Sequence, residues 1–463
     1  MKDLGSINDL VLLKATQEGA SSAECFSIRW QSTSAYVEDS RPNIAMVNEE
    51  TGIGVKVALG KKMGSASTTV EQEGDVTAAV ETALRIAKLS PEDPNFETLP
   101  SVKEVKGSIK GLYDRTILDA TAEDLMDRAM VVVDVAMQRE GMEVPKGFIR
   151  AQEYEFKISN SNGLENGHKG TLLFLSFSSK IADGGKSGEG IEKLYSTRLE
   201  GVDFEGIGTK IADRALNTMN ARPFKGKLEA PAIIANSEIG QMLLSSFAYA
   251  VSGENVNKGR SPWGDKLGTR LFSEELTIQD RPHLPGAMQS ALVDDEGSPT
   301  ADRTLVDKGV LTSFVNDQYN AGISNQEAGN GYRRGVGTIE KSFMGAVRPA
   351  VSNLTIPPGN KSLDDMIGEL DKGVIVEKFA APELNPYMGA FGLEVRNAGV
   401  IEKGELKEHV KFCLLSGNLY QSLGKIVSIG NDPGFGGPWM ISDPGDAYCP
   451  SIAFDGFTLV GQE

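Results

Sequence analysis

The stretch Ala230-Pro231-Ala232-Ile233-Ile234-Ala235, continued by Asn236-Ser237-Glu238-Ile239-Gly240-Gln241-Met242-Leu243-Leu244-Ser245-Ser246-Phe247-Ala248-Tyr249-Ala250-Val251, sets the architecture. Its first six residues form a short apolar run of strand length. A helix is predicted next, capped by Ser237 and running to about Val251, with Ile239, Leu243, Phe247 and Ala250 along one side. A strand feeding straight into such a helix opens a new packing unit. Just before it, Pro223 and Lys225-Gly226-Lys227 read as a boundary. At 463 residues the chain is too long for one ordinary core. Two domains are expected, residues 1–222 and residues 223–463.

Upstream of the boundary, helices and strands alternate in blocks. Ile7, Leu10, Val11 and Lys14 predict a helix over 7–19 that stops at Gly19. Short strands are predicted at 23–30, 33–39, 43–48, 52–59 and 63–68, with Gly60-Lys61-Lys62 as a hairpin turn. Ala79, Val80, Ala83, Leu84 and Ala87 form one stripe of a helix over 76–89, ended by Pro91. Residues 91–116 carry prolines and charge without periodicity and read as a bridging loop. Thr121 and Asp124 have capping-box spacing for a helix to Arg139. Strands at 152–159 and 170–181 read as a hairpin across Asn160-Ser161-Asn162-Gly163, and a helix is expected over 207–219.

Downstream, short strands dominate. Asp307-Lys308-Gly309-Val310 and Glu402-Lys403-Gly404-Glu405 each set Lys-Gly between apolar runs, a hairpin signal. Residues 431–450 are rich in Gly and Pro and are expected to be irregular. The fold class is α+β: a mostly antiparallel sheet with helices, then a β-rich domain, curled or barrel-like, opened by a strand and a helix.

Composition narrows the function. A net charge of −17 and a pI near 4.9 oppose attraction to DNA or to an anionic membrane. Cys25, Cys413 and Cys449 form no C-x-x-C pair, which fits a reducing cytoplasm. The N-terminus lacks a basic start with a long apolar stretch, and no apolar run is long enough to span a bilayer. A cytoplasmic location is expected.

Chemistry is sparse. His168, His283 and His409 lie in unrelated segments, read as a turn-like region, a loop and the residues after a hairpin, and no H-E-x-x-H occurs. Ser245 and Ser246 lie inside an apolar helix, where hydroxyls bond back to the preceding turn. Nothing near Cys449 would lower its pKa. Gly52-Ile53-Gly54 lies in a strand and opens no helix, so it is no nucleotide loop. Asp294-Asp295-Glu296-Gly297 is the densest carboxylate cluster, but it lacks the alternating spacing of a calcium loop and reads as a solvated turn. Residue types alone define no active site.

Taken together, several landmarks resemble the TldD/PmbA family, also called modulators of DNA gyrase. In the first half these are Thr51-Gly52-Ile53-Gly54-Val55-Lys56-Val57, Gly64-Ser65-Ala66-Ser67-Thr68 and Ser159-Asn160-Ser161-Asn162-Gly163. In the second they are Leu276-Thr277-Ile278-Gln279-Asp280, Asp294-Asp295-Glu296-Gly297, Gly389-Ala390-Phe391-Gly392-Leu393-Glu394-Val395, Ser416-Gly417-Asn418 and Ile429-Gly430-Asn431-Asp432. Their order and spacing, from about residue 20 onward, carry the likeness.

The resemblance implies a zinc site in one branch of the family. There H-E-x-x-x-H and a late Cys hold the metal, and the Glu serves as general base for a zinc-bound water. Histidines five apart fall about 140° out of line on a regular α-helix, so a widened turn or a helix end has to bring them together. Laid onto this sequence, the first His falls at Ser245, the Glu at Ser246, the second His at Ala250 and the Cys at Cys449, followed here by Pro450. Alanine offers no ligand, and a neutral serine is a poor one for zinc. The chain thus resembles the PmbA (TldE) branch, expected to carry no metal or cofactor of its own, with zinc in a TldD-like partner. The implied role is a non-catalytic subunit of a heterodimeric protease acting on unfolded or modified peptides. A homo-oligomeric interaction or regulatory protein of gyrase-modulator type is the alternative. A hydrolase using Ser245 or Cys449 with a distant His is a third reading.

Overall fold

The computed structural model describes residues 3–461 except 104, 106, 334–341 and 438–444. Helix α1 (Leu4–Gln17) precedes strands β1 (Ser22–Glu38), β2 (Arg41–Leu59) and β3 (Lys62–Thr69). Helices α2 (Glu73–Leu89), α3 (Arg115–Asp119) and α4 (Ala122–Met137) follow, then β4 (Met142–Asn160), β5 (Glu165–Asp183), β6 (Lys186–Ser196) and α5 (Phe204–Asn220). The six strands form one antiparallel sheet in the order β3-β2-β1-β4-β5-β6.

The helices follow the expected stripes and caps. Val11 and Ala15 of α1 pack with Val80, Ala83 and Leu84 of α2 over Cys25, Val55 and Val57. The Thr121 hydroxyl accepts from the Asp124 amide, and the Asp124 carboxylate accepts from the Thr121 amide. Helices α4 and α5 bury Ala129, Val132, Val133, Ile211 and Ala215 against Ile149, Leu175 and Phe177. All four long helices therefore cover one face of the sheet.

Strand lengths differ from expectation. Segments 23–30 and 33–39 are a single strand, β1, and 43–48 and 52–59 are a single strand, β2. The polar run Asn48-Glu49-Glu50 looks like a turn in sequence, but it lies in an exposed part of β2 where polar side chains simply face water. Strand β6 was not expected, and Gly188 and Gly190 weaken its strand pattern. Each lacks a Cβ because α5 packs directly on the strand: a Cβ there would overlap the carbonyl oxygens of Ala215 and Ile211.

Strand β7 (Arg222–Pro223), at the expected boundary, pairs in parallel with Glu405–Lys411 and so is the outer strand of the second half's largest sheet. Strand β8 (Lys227–Ile234) lies between Lys372–Phe379 and Ile452–Val460. Ala390–Glu402 pairs with Lys372–Phe379 and with Leu414–Asn418, which in turn pairs with Ile452–Val460. These five strands close on themselves as a barrel, so the barrel-like expectation holds. Both Lys-Gly turns are hairpins, with Lys308 and Lys403 in the left-handed region beside Gly309 and Gly404. Part of 431–450 lies outside the described residues. The remainder includes two short paired strands, Gly434–Phe435 and Asp446–Cys449, where irregular chain was expected.

Candidate functional site

The helix after β8 is not regular. It starts as α6 (Asn236–Met242), opens into a π turn (Leu243–Phe247) and ends as α7 (Ala248–Ala250). The Ala248 amide donates to the Leu243 carbonyl, five residues back. A π turn inserts one extra residue, so positions five apart come to share a face. Ser245 and Ala250, the two such positions named from sequence, are therefore turned toward one side. The N-cap is Ala235, not Ser237, with no side-chain cap bond. Asn236 Oδ1 accepts from the Ser237 amide, and the Asn236 amide donates to Ser451 Oγ at 3.1 Å.

Both serine hydroxyls are engaged. Ser246 Oγ, fully buried, donates to the Met242 carbonyl at 2.7 Å. Ser245 Oγ lies 3.2 Å from the same carbonyl and 3.1 Å from that of Pro382. Ala250 is buried, and its carbonyl accepts from Ser261 Oγ. A short segment lies over this turn. The Tyr420 hydroxyl is 2.9 Å from the Ser246 carbonyl and 2.7 Å from that of Pro386, and Tyr387 meets Tyr249 edge to face at 5.1 Å. Burial and the neighbouring Tyr387 hydroxyl push Tyr249 up to about 12.

Cys449 lies on Asp446–Cys449, which packs against α6 and the π turn. It is a free, fully buried thiol, pushed by burial to about 12, and so protonated at neutral pH. The structure thus brings Ser245, Ser246, Ala250 and Cys449 into one neighbourhood, yet their donors do not suit zinc: two hydroxyls bonded to carbonyls, a methyl group and a protonated thiol. Among the described residues no three His, Cys, Asp or Glu side chains are placed to hold a metal.

The histidines lie apart from this turn. His168 is on β5, not in a turn, facing Tyr154 and Phe156. His283 Nε2 is 3.0 Å from Thr300 Oγ1. His409 stands in the strand Glu405–Lys411 opposite Gly399.

The carboxylate cluster corrects its sequence reading. Asp294, Asp295 and Glu296 are buried, not solvated. Asp294 accepts from the amides of Glu296, Ser298 and Gly331, Asp295 from that of Arg333, and Glu296 from that of Gln318. Spent on amides, these oxygens tie three segments of the second half together. Their donors lie up to 38 residues away, so local sequence gave no sign of them. Burial pushes Glu296 up to about 7, with Asp317 and Glu24 adding to the rise and Lys56 opposing it.

Glu296 also lines a cleft of about 680 Å³ between the two halves, with Lys56, Ser65 and Ser67 from the first sheet and Glu254, Asp317 and Arg333 from the second half. Arg333 crosses that junction. It donates to Glu24 at 2.9 Å with both side chains buried, and its guanidinium lies 5.0 Å above the Phe26 ring. Reading the sequence did not find this pair, whose members are 309 residues apart.

A strand-fed helix broken by a π turn, packed with the barrel strands and joined to a helix-backed antiparallel sheet, lies in a chain that matches three metallopeptidase family domains. The chain belongs to the PmbA/TldD family. Residues 227–461 match the PmbA/TldA metallopeptidase C-terminal domain, residues 23–87 domain 1, and residues 115–219 the central domain. Metalloprotease PmbA of Escherichia coli O157:H7 is similar at 24% identity over 431 residues, covering 90% of this chain and 87% of that one. A metalloprotease of Methanocaldococcus jannaschii is 23% identical over 390 residues, covering 82% and 83%. Among solved structures, TldE from Thermococcus kodakarensis superposes with a TM-score of 0.88 at 24% identity, covering 98% of this chain and all of that one. At that identity the superposition establishes the fold.

Proposed function

We propose that this chain is the non-catalytic subunit of a TldD/TldE-type zinc metalloprotease that degrades or trims unstructured and modified peptides in the cytoplasm. The observation that carries this reading is the donor set at the π turn. Ser245, Ser246 and Ala250 stand where the active branch needs two imidazoles and a carboxylate, and the Cys449 thiol is held protonated. A widened turn retained without its ligands is what a fold kept for assembly would leave behind. Hydrolysis would then occur on a homologous chain bearing H-E-x-x-x-H, with this chain completing the enclosure around the substrate.

The test mixes purified full-length chain with such a partner and follows cleavage of an unstructured peptide. Cleavage that requires both chains, and is lost only when the partner's Glu is replaced, is the expected result. Equal cleavage by the partner alone would sink the proposal.

A further inference from the structure

The cleft between the two halves holds more charge than its own contacts use. Glu296 and Asp317 both line it, and they are only 2% and 4% exposed. Each commits one carboxylate oxygen to its own chain. Glu296 Oε2 accepts from the Gln318 amide at 2.8 Å, and Asp317 Oδ1 from the Asn320 amide at 2.7 Å and from Asn320 Nδ2 at 2.9 Å. Among the described residues Glu296 Oε1 and Asp317 Oδ2 meet no donor, and both stay open to the cleft. Burial raises both carboxyls above their ordinary values, and Lys56 of β2 is the cation that opposes the rise in each. Yet the Lys56 ammonium makes no hydrogen bond or ion pair among the described residues. The other lining charges are mostly spent. Glu254 pairs with Lys258 at 2.5 Å, Asp93 accepts from the Tyr319 hydroxyl at 3.2 Å, and Arg333 holds Glu24. Exposed Arg348 is unpaired, like Lys56.

We propose that this cleft binds a small zwitterion, an α-amino acid or a dipeptide with apolar side chains, its ammonium held by Glu296 and Asp317 and its carboxylate by Lys56. Charge selects this ligand. Two uncommitted acids face two uncommitted cations, so a polyamine would meet Lys56 and Arg348, and a phosphate would meet both carboxylates. Among the described residues no three His, Cys, Asp or Glu side chains are placed for a metal. An ammonium brings three donors to the two open oxygens, and an unpaired buried charge gains most from such a partner. Ser65 lies opposite Lys56 in the β2–β3 pair, on the same sheet face, where its hydroxyl can donate to the ligand's carboxylate. Met63, Ile86, Phe343 and Val347 supply apolar wall for the side chain. The volume of about 680 Å³ falls in the usual range of small-ligand sites, about 300–1,000 Å³. None of Ser245, Ser246, Ala250 and Cys449 lines the cleft, so the inference stands whether or not the proposed protease partnership does.

Isothermal titration of the full-length chain with L-leucine and L-leucyl-L-leucine tests this, with N-acetyl-leucine and leucinamide each lacking one charge. Leucine or leucyl-leucine is expected to bind, the tighter of the two showing whether a free amino acid or a dipeptide is the ligand. Blocking either end of leucine should weaken its binding at least tenfold, as should Glu296→Gln or Lys56→Met for the tighter ligand. Glutamine keeps an oxygen for the Gln318 amide, and the half-buried Lys56 side chain holds no other element, so both variants should fold. Circular dichroism melts check that they do. A wild-type chain that binds neither ligand overturns the proposal. So does N-acetyl-leucine bound as tightly as leucine, or a folded Glu296→Gln or Lys56→Met chain with wild-type affinity.

Discussion

Gly52 and Gly54 show how much a single missing side chain can decide. Both lie on the β2 face turned toward the second half, and Phe343 occupies the space they leave. A Cβ at Gly52 would fall inside the Phe343 ring, and one at Gly54 would lie 2.6 Å from the Phe343 carbonyl oxygen. Neither glycine has a positive φ, so the constraint is close approach and not backbone conformation. Gly52→Ala is expected to destabilise the chain by about 1–3 kcal/mol through overpacking, while Gly60→Ala, in open space, would show only the strain of its left-handed turn. Urea denaturation of both variants separates the two costs. Sequence marked Gly52-Ile53-Gly54 as a strand feature but could not supply Phe343, which lies almost 300 residues downstream. The same gap hid the buried role of Asp294, Asp295 and Glu296. Carboxylates side by side look solvated until the amides that bind them are placed.

Elements were legible where local physics determines them. Helix α4 is such a case: its cap and its apolar stripe both stand in the sequence, and Thr121→Ala is expected to cost about 1 kcal/mol, read as a lower melting temperature, with Thr121→Ser close to neutral. The widened turn near Ser245 was not legible in these residues, which read as one helix to about Val251; only the resemblance to a branch with histidines five apart pointed toward a widened turn or a helix end. Its serine bonding was legible, because a hydroxyl inside a helix bonds back to the preceding turn. The Met242 carbonyl is met by the Ser246 hydroxyl, so the serines serve the turn's own hydrogen bonding as well as standing where ligands would. Strand lengths were least legible. Alternation fails in the exposed end of β2, where both faces are wet, and in β6, where glycine is required by contact with α5. In both places tertiary surroundings override local propensity.

For the whole molecule, the buried carboxyls set a pH dependence. Asp446 and Glu296 are both held up to about 7, chiefly by burial, from ordinary values of 3.8 and 4.5. Between those limits the folded chain keeps protons that the unfolded chain has already released. Folding stability from these groups is therefore full below the ordinary values and falls as pH rises toward 7. Each group's share is on the order of 4 kcal/mol by the conversion of about 1.4 kcal/mol per pKa unit. Chemical denaturation between pH 4.5 and 7.5 should show this decline, and Asp446→Asn should flatten it. A variant as steep as the wild type would show that the dependence arises elsewhere. Along the same chain, the buried Arg333–Glu24 pair joins the first sheet to the second half.

The two halves differ in when they can be completed. Each strand of the first sheet finds its neighbours by Ser196, and all but the β1–β4 pair join strands consecutive in sequence. The barrel, by contrast, needs β8 to pair with Ile452–Val460, and the bond from the Asn236 amide to Ser451 spans 215 residues. At translation rates of roughly 5–20 residues per second, β8 waits on the order of 10–40 s for the strand that shuts the ring. During that interval its apolar run Ala232-Ile233-Ile234 and the adjoining helix have no permanent neighbours on that side. Ribosome-bound chains halted before Ile452 would then be the species a chaperone meets, while those halted after α5 would already resist protease in their first half.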